Sequence, residues 1–168
     1  MVNVIEVRVI TRGDRAWSVD VQTESWSEPV VARLGELIDP TRLPGFVALL
    51  DGERAGLAAY AVRGDECEVV TMRSLREGRG VGRALLDAVR DTAIESGCTR
   101  LWLITTNDNL RALALYQRWG MDIVALHSHA VTDARRDLKP TIPERGASGI
   151  PITHELELEL RLPGQGSR

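Results

Sequence analysis

The stretch that decides the fold is Glu77-Gly-Arg-Gly-Val-Gly-Arg-Ala-Leu-Leu86, in which alternating glycines and two arginines stand directly before an apolar-periodic segment. Glycine lets the main chain approach a ligand closely and take positive φ. The first turn of a helix leaves backbone N–H donors unpaired, with a dipole that favours negative charge. The sequence therefore predicts an anion-binding turn at the start of a helix.

The residues around this turn predict a strand before it and a helix after it. Glu66–Met72 is short, β-branched in its middle and preceded by the turn signal Gly64-Asp65. After the turn, apolar residues recur at helical spacing and Gly97 supplies a stop. The members of this apolar face are Val81, Leu85, Ala88, Val89 and Thr92.

Two other kinds of phosphate-binding loop are excluded, because residues that they require are missing here. A dinucleotide-binding fingerprint that starts at Gly78 needs glycine where Arg83 stands, and one that starts at Gly80 needs it where Leu85 stands. A Walker A loop needs Gly-Lys-Ser/Thr after its spaced glycine, and the sequence contains no such triplet. A flexible turn between strand and helix stays open as the alternative.

A second motif follows further along the chain, Asn109-Leu-Arg-Ala-Leu-Ala-Leu-Tyr-Gln-Arg-Trp-Gly-Met121. It predicts a helix with an Asn near its start and a Tyr near its end. Taken together, the two motifs indicate a phosphate-bearing cofactor that lies across two neighbouring elements.

In this order, the two motifs resemble those of the GNAT superfamily of acyl-CoA-dependent N-acyltransferases. The family's pyrophosphate loop is written Gln/Arg-x-x-Gly-x-Gly/Ala, and Gly80-Val81-Gly82 matches its glycine part. Asn109 to Met121 matches the pattern Asn-x-x-Ala-x-x-x-Tyr-x-x-x-Gly-Phe/Met over its full length. The loop departs from the family at Glu77, where Gln or Arg is usual. Either Arg76 substitutes by proximity, or the loop relies on backbone donors and its own arginines.

The resemblance, which covers residues 46–126, implies an α/β fold with a mixed, mostly antiparallel central sheet of about seven strands flanked by helices. The strands Glu66–Met72 and Thr99–Thr105 would splay apart to form the cleft for acetyl-CoA, the co-substrate. The pantetheine would pair with the exposed strand edge, at Val70 and Met72. The further cofactor contacts that the resemblance implies are Gly78, Arg79, Gly80, Val81, Gly82, Arg83, Asn109 and Tyr116.

The resemblance also implies a catalytic tyrosine, because Tyr116 matches the family residue that can protonate the CoA sulfur. Acyl transfer to an amine needs a neutral amine, a donor for the oxyanion and a proton or dipole for the departing thiolate. The alternative for Tyr116 is a core aromatic, since Ala112, Tyr116 and Trp119 share one helix face. Asn109 likewise has an alternative as a helix N-cap, for which Asn107 and Asp108 compete.

Glu68 is the candidate general base, because it lies on the strand that leads into the glycine loop. Several family members carry a glutamate there that takes a proton from the amine through water. Glu66 and a water wire to bulk solvent are rivals. The remaining alternative is a solvent-facing acid on a strand whose other face holds Cys67, Val69 and Thr71.

Three further groups of residues have open roles. His127 and His129 place two imidazoles close together, but without a third ligand no metal is expected. Trp17 and Trp26 stand where the family builds its acceptor pocket, and they either line it or pack. Glu155, Glu157 and Glu159 alternate with leucines and form one acidic strand face. This face predicts either a solvated strand edge or a stripe that faces the cleft and would favour a cationic substrate.

Length and composition set the class of protein. The chain has 168 residues, which suits one domain over 1–168 with a flexible tail at 162–168. Its net charge of −3 argues against a nucleic-acid binder. Without a long apolar run or a signal-peptide core, a cytoplasmic protein with no membrane association is expected. Cys67 and Cys98 are isolated, and two reduced structural thiols are expected.

The rest of the chain predicts further elements around the two motifs. Residues 30–37 predict either a short helix or an irregular strand, and 46–50 with 55–62 predict a hairpin around Asp51-Gly52. The other segments predict strands at 2–10, 122–127 and 153–162, and helices at 15–26 and 130–139.

The sequence therefore predicts an acetyl-CoA-dependent N-acetyltransferase that works by direct transfer in a ternary complex. The rival from another class is a GNAT-fold module that binds acyl-CoA without turnover, and Glu77 is the feature in its favour. The acceptor, a small-molecule or peptide amine, cannot be chosen from the sequence, because fold-level motifs do not fix a substrate. A homodimer is compatible with this reading.

Overall fold

A computed structural model describes residues 2–26 and 28–164 of the chain. Its strands are β1 Ile5–Val9, β2 Val31–Arg33, β3 Glu36–Ile38, β4 Gly45–Leu50, β5 Glu53–Arg63, β6 Glu66–Ser74, β7 Arg100–Thr106, β8 Asp122–His127 and β9 Glu155–Arg161. Its α-helices are α1 Arg15–Trp26, α2 Val81–Glu95, α3 Leu110–Trp119 and α4 Ala130–Asp137.

Seven strands form the central sheet, in the order β1-β4-β5-β6-β7-β9-β8. All neighbours run antiparallel except β6 and β7, which pair in parallel over three residues, Glu66–Glu68 with Arg100–Trp102. Beyond Glu68 the two strands separate, while β6 stays paired with β5 as far as Ser74. The structure thus confirms the mixed, mostly antiparallel sheet and the splayed strands.

The hairpin between β4 and β5 forms where the sequence predicts it. Asp51 and Gly52 both take positive φ, 51° and 86°, as a type I′ turn requires. At the start of β4, a Cβ on Gly45 would lie 2.3 Å from the carbonyl oxygen of Ala58. Only glycine therefore allows β5 to approach so closely.

The main core lies between the sheet and α2, whose apolar face packs on β4, β5 and β6. Leu85, Leu86 and Val89 are fully buried there, and each contributes about 1.5–3 kcal/mol by leaving water. The indole N–H of Trp119 donates to Asp87 at 2.9 Å and ties the end of α3 to α2. These contacts fix the start of α2 beside β6.

The segment predicted as a short helix or irregular strand is a β-hairpin, formed by β2 and β3. Leu34 and Gly35 make its turn with positive φ, 48° and 76°. The strands are too short to show a period of two, so the pattern could not identify them. A small second core joins the hairpin to α4: Ala32, Val131, Ala134, Leu138, Ile142 and Ile152.

At the C-terminal end, the predicted tail starts too early. Leu162 is only 7% exposed, and its N–H donates to the carbonyl oxygen of Thr99 at 2.9 Å. It therefore belongs to the packed sheet, and residues 165–168 of the predicted tail lie outside the described residues.

Cys67 and Cys98 are free and buried, as expected. Burial raises the pKa of both thiols, that of Cys67 to about 12. Both side chains therefore stay protonated and pack as small apolar groups.

Within the described part of the chain, no helix has the length and apolar character needed to cross a membrane.

Candidate active site

A cavity of about 210 Å³ lies where β6 and β7 separate. Both strands contribute to its walls, over Val69–Arg73 and Leu103–Thr106. The remaining lining residues come from the two sides of the sheet: Val30, Val31, Ala32, Arg33, Asn109, Tyr116, Val131, Ala134, Lys139, Ile142 and Glu155. The gap predicted for the cofactor is therefore a real opening in the sheet.

One side of this opening is the helix face of the sheet, which α2 and α3 cover. Leu101 and Leu103 of β7 point to this side, since both belong to the core cluster that contains Leu85 and Leu86. Tyr116 of α3 belongs to the same cluster. The tyrosine thus reaches the cavity from the helix face.

The other side is the hairpin face, where β2 lies. Trp102 of β7 points to this side, because the guanidinium of Arg33 lies 5.6 Å from its ring centre. Side chains alternate along a strand, so Thr106, four residues after Trp102, points to the same side of the sheet. Thr106 stands directly opposite Glu155 of β9, and such cross-strand partners share a face. Glu155 therefore reaches the cavity from the hairpin face, and the cavity passes through the sheet.

The glycine turn stands at the start of α2, as predicted. Gly78 and Gly80 have φ of 67° and 84°, the left-handed region that favours glycine. Gly80 is the N-cap residue, and the first helical bond runs from the N–H of Ala84 to its carbonyl oxygen. The N–H groups of the three residues between them lack a partner within the helix.

Gly82 serves a different purpose from the other two glycines. It lies inside α2, where a Cβ would come 2.8 Å from Leu115 Cδ2 and 3.6 Å from Met72 Cε. The missing side chain thus lets α2 approach α3 and β6. Close packing, not positive φ, requires glycine here.

The charged side chains of the turn point in several directions. Arg79 donates to Asn3 Oδ1 at 2.6 Å, and Arg83 lies exposed in the first turn of α2. Glu77 forms an ion pair with Arg111 of α3, and both side chains are exposed. The carboxylate that departs from the family pattern therefore has a cationic partner on the neighbouring helix.

Tyr116 lies in the core and also at the wall of the cavity. It is only 7% exposed. Burial raises the pKa of its phenol to about 12. The group therefore stays protonated at neutral pH, as a proton donor must.

Asn109 occupies the N-cap position of α3 but makes no side-chain capping bond. Its amide donates to Thr105 Oγ1 at 3.2 Å instead, at the wall of the cavity. Asn107 ties the start of α3 to the segment before β9, since its Oδ1 accepts the N–H of Thr153 and of His154, both at 2.9 Å. The prediction that Asn109 is the N-cap residue is thus right, but its side chain does not make the capping hydrogen bond.

Glu68 is neither a free base nor a solvent-facing acid. It is 4% exposed, and Arg33 donates to both of its oxygens, from Nε at 2.5 Å and from Nη2 at 2.6 Å. Arg33 also binds Glu36 at 2.9 Å. The structure places Glu68 in a buried ion pair that holds the β2–β3 hairpin on the sheet.

The acidic face of β9 is not a solvated edge, because β9 lies between β7 and β8. Glu157 and Glu159 pair with Arg100. Glu155 is 2% exposed, lines the cavity and accepts the N–H of Leu34 at 3.0 Å. The alternation shows that the three share a face, but it cannot show which of them lies at the opening.

Lys139 is a site residue that sequence reasoning missed. It is 4% exposed, and its Nζ donates to the carbonyl oxygen of Val30 at 2.6 Å. Burial lowers the pKa of this amine. Its position just after α4 gave no motif or period by which to find it.

Of the two tryptophans considered for the acceptor pocket, Trp17 is not among the described residues that line the cavity. Trp17 stacks on the guanidinium of Arg54, 5.3 Å from its ring centre. The side chain of Trp26 lies outside the described residues. Trp17 therefore packs on the surface of the sheet.

The histidines have protein partners. His127 lies 3.1 Å from Glu157 Oε1, and the backbone N–H of His129 donates to Nδ1 of His154 at 2.9 Å. No group of three metal-ligating side chains occurs among the residues that the structure describes.

The sheet opening and the glycine turn at the start of α2 are the two features that the resemblance to the GNAT superfamily implies. The acetyltransferase (GNAT) family model matches residues 14–121, more than half of the chain. The chain therefore belongs to the GNAT family of acetyltransferases.

Two relatives and one solved structure are similar to this chain. The uncharacterised protein YdhI of Bacillus subtilis (strain 168) is 39% identical over 82% of this chain and 86% of its own length. Streptothricin acetyltransferase of Streptomyces lavendulae is 35% identical over 49% of this chain and 47% of its own. A GNAT family acetyltransferase from Elizabethkingia anophelis, solved with acetyl-CoA bound, has a TM-score of 0.67 at 17% identity and covers 94% of this chain and 98% of its own.

Proposed function

We propose that the protein transfers the acetyl group of acetyl-CoA to a primary amine, by direct transfer while both substrates are bound. The observation that carries this proposal is the cavity through the sheet between β6 and β7. It gives a thioester and an amine two separate approaches to one point, with Tyr116 on the helix face and the hairpin on the other.

The residues present fit acetyl-CoA. The free N–H groups at the start of α2, from Val81 to Arg83, suit a pyrophosphate, and the glycines before them let it approach. Beyond Glu68 no residue of β7 pairs with β6, and Val70 and Met72 lie in this stretch. A pantetheine amide can complete their hydrogen bonds.

Within this proposal Tyr116 acts as the general acid. Acetyl-CoA supplies an activated thioester, whose C–S bond breaks as the new C–N bond forms. The departing thiolate takes the phenolic proton of Tyr116, and water then restores it. The phenol suits this role because it is protonated at neutral pH and lies at the wall of the cavity.

The rival reading, a module that binds acyl-CoA without turnover, loses its main support. It rested on Glu77 as a carboxylate beside the pyrophosphate, but this side chain is neutralised by Arg111. No other observation favours the rival.

The test of cofactor choice is a thermal unfolding experiment with acetyl-CoA, NAD and ATP. Acetyl-CoA at a hundredfold excess over its dissociation constant is expected to add about 2.7 kcal/mol of stability. NAD and ATP are expected to add little. An equal response to NAD would contradict the proposal.

A matched pair of variants locates the effect at the glycine turn. Gly80→Val should abolish the acetyl-CoA response, because a β-branched residue resists a φ of 84° and its Cβ meets Ile5 Cδ1 at 3.3 Å. Gly64→Val carries similar strain at a φ of 61° in the β5–β6 turn. If both variants lose binding equally, the loss reflects instability and not the turn.

A further inference from the structure

We infer that Glu155 receives the ammonium group of the acceptor and removes its proton before acetyl transfer. This inference rests on the proposed function and deepens it, since it assigns the base and the charge of the acceptor. It replaces Glu68, whose two oxygens are occupied by Arg33.

The position of Glu155 carries the inference. It is the only carboxylate among the described residues that line the cavity. Its Oε2 accepts the N–H of Leu34, and Oε1 has no hydrogen bond within the described chain. Among the described residues, Gln22 Oε1 is the only side-chain N or O atom that is both fully buried and without a hydrogen bond. Oε1 of Glu155 has no hydrogen bond either, so it is not fully buried, and it remains accessible from the cavity that Glu155 lines. An ammonium group would supply the missing donor.

The face of the sheet supports the same assignment. Glu155 stands opposite Thr106 on the hairpin face, whereas Tyr116 reaches the cavity from the helix face. An amine held by Glu155 would meet a thioester carbon held near Tyr116 from the opposite side. Such an approach separates the attacking nitrogen from the leaving sulfur.

The electrostatics of the carboxyl fit a base. Burial raises the pKa of Glu155 above its ordinary value, against the opposing effects of the Leu34 N–H, His127 of β8 and Arg33 of β2. A base acts best when its pKa is near the working pH. The other titratable groups that line the cavity near it are Lys139, whose Nζ is held by the Val30 carbonyl, and Tyr116.

The protons balance as follows. The ammonium gives one proton to Glu155, and the freed lone pair forms the C–N bond as the C–S bond breaks. The nitrogen then loses its second proton to water, and the thiolate takes the proton of Tyr116. Water reprotonates Tyr116 and takes the proton from Glu155, so that one proton is released for each acetyl group transferred to an ammonium.

The experiment compares Glu155→Gln with Glu159→Gln in the full chain. Glutamine keeps an oxygen for the Leu34 N–H but removes the charge and the basicity. Glu159 is a matched control, since it shares the strand face but pairs with Arg100. Thiol release from acetyl-CoA is followed with spermidine, kanamycin and L-alaninamide, and acetyl-CoA binding is measured by thermal shift.

Glu155→Gln should lower the rate with the amine by about 10²–10⁴ at neutral pH, the usual effect of losing a general base. Acetyl-CoA binding should persist, and the deficit should shrink as alkaline pH delivers neutral amine. Glu159→Gln should keep the rate. Full activity in Glu155→Gln, or a deficit that pH does not reduce, would overturn the assignment.

A wild-type protein that does not bind acetyl-CoA would overturn the proposed function and, with it, the role inferred for Glu155. A wild-type protein that binds acetyl-CoA and acetylates an amine, next to an equally active Glu155→Gln, would overturn the role of Glu155 alone. The two failures are thus distinguishable.

Discussion

The phenol of Tyr116 belongs to the core and to the cavity at once. Burial raises its pKa to about 12, above its value of about 10 in an unfolded chain. The folded state therefore favours the neutral phenol, a contribution to stability that is present below about pH 10 and is lost as the pH rises further. The same burial keeps the phenol protonated at neutral pH.

Tyr116→Phe keeps the ring and removes only the hydroxyl. Turnover should fall by about 10²–10⁴, whereas acetyl-CoA affinity should hardly change because the packing is preserved. Tyr60→Phe is the matched control, since it is the only other tyrosine of the chain and stacks on Phe46, 5.8 Å between ring centres. Steady-state rates with an acceptor measure the effect, and full activity would remove Tyr116 from the mechanism.

Glu77→Gln should tighten acetyl-CoA binding, because it removes a negative charge beside the glycine turn and releases Arg111. The fold should be unaffected, as exposed ion pairs contribute about 0–1 kcal/mol. Titration at low and high salt measures the gain, which screening should reduce. Glu53→Gln, whose carboxylate is 3.9 Å from Arg76, is the control. Unchanged affinity would mean that Glu77 lies too far from the pyrophosphate to act on it.

At the scale of elements, the β2–β3 hairpin depends on the residues beneath it. Arg33 pairs with Glu68, the Leu34 N–H donates to Glu155, and Lys139 donates to the Val30 carbonyl. These three polar contacts hold the β2–β3 hairpin in place, where it covers one side of the cavity. Its placement and the shape of this side of the cavity are coupled.

Arg33→Met should destabilise the protein by about 3–5 kcal/mol, because it leaves the buried Glu68 carboxylate without its partner. Adding Glu68→Gln should recover much of this loss, since no buried charge then remains. Urea unfolding measures both. Arg42→Met provides the control, as that arginine is 85% exposed in its pair with Asp39. A single variant as stable as wild type would show that the pair does not hold the hairpin.

At the scale of the whole molecule, one buried carboxylate joins distant parts of the chain. Asp14 is 1% exposed and pairs with Arg8 of β1 at 2.7 Å and with Arg54 of β5 at 2.9 Å. These partners, Arg8 first, hold the pKa of Asp14 well below its usual range. The carboxylate therefore stabilises the fold wherever it is ionised.

Because the folded pKa of Asp14 is depressed, its contribution is present above about pH 4 and is lost as the pH falls below that value. With partly exposed partners, about 1–3 kcal/mol is expected. Urea unfolding of wild type and Asp14→Asn over an acid pH series measures it. The two curves should converge at low pH, and a constant gap would contradict the linkage.

The sequence by itself determined the features that depend on neighbouring residues. The glycines before α2, the Asp51-Gly52 turn and the period of β9 each express local backbone geometry, and the structure has them where they were predicted. The two motifs that revealed the family are local as well. Such signals can be read because the residues that produce them lie within a turn or two of each other.

Only the tertiary structure decided what the polar residues face. Glu68 meets Arg33 from 35 residues earlier, Glu155 meets Leu34 across 121 residues, and Gly82 makes room for Leu115. The same residue type lies exposed to solvent, in a buried ion pair or at the wall of the cavity, according to which segments pack around it. Burial and partners set the charge state and chemistry of a carboxyl, and chain folding brings those partners together from distances that no local pattern records.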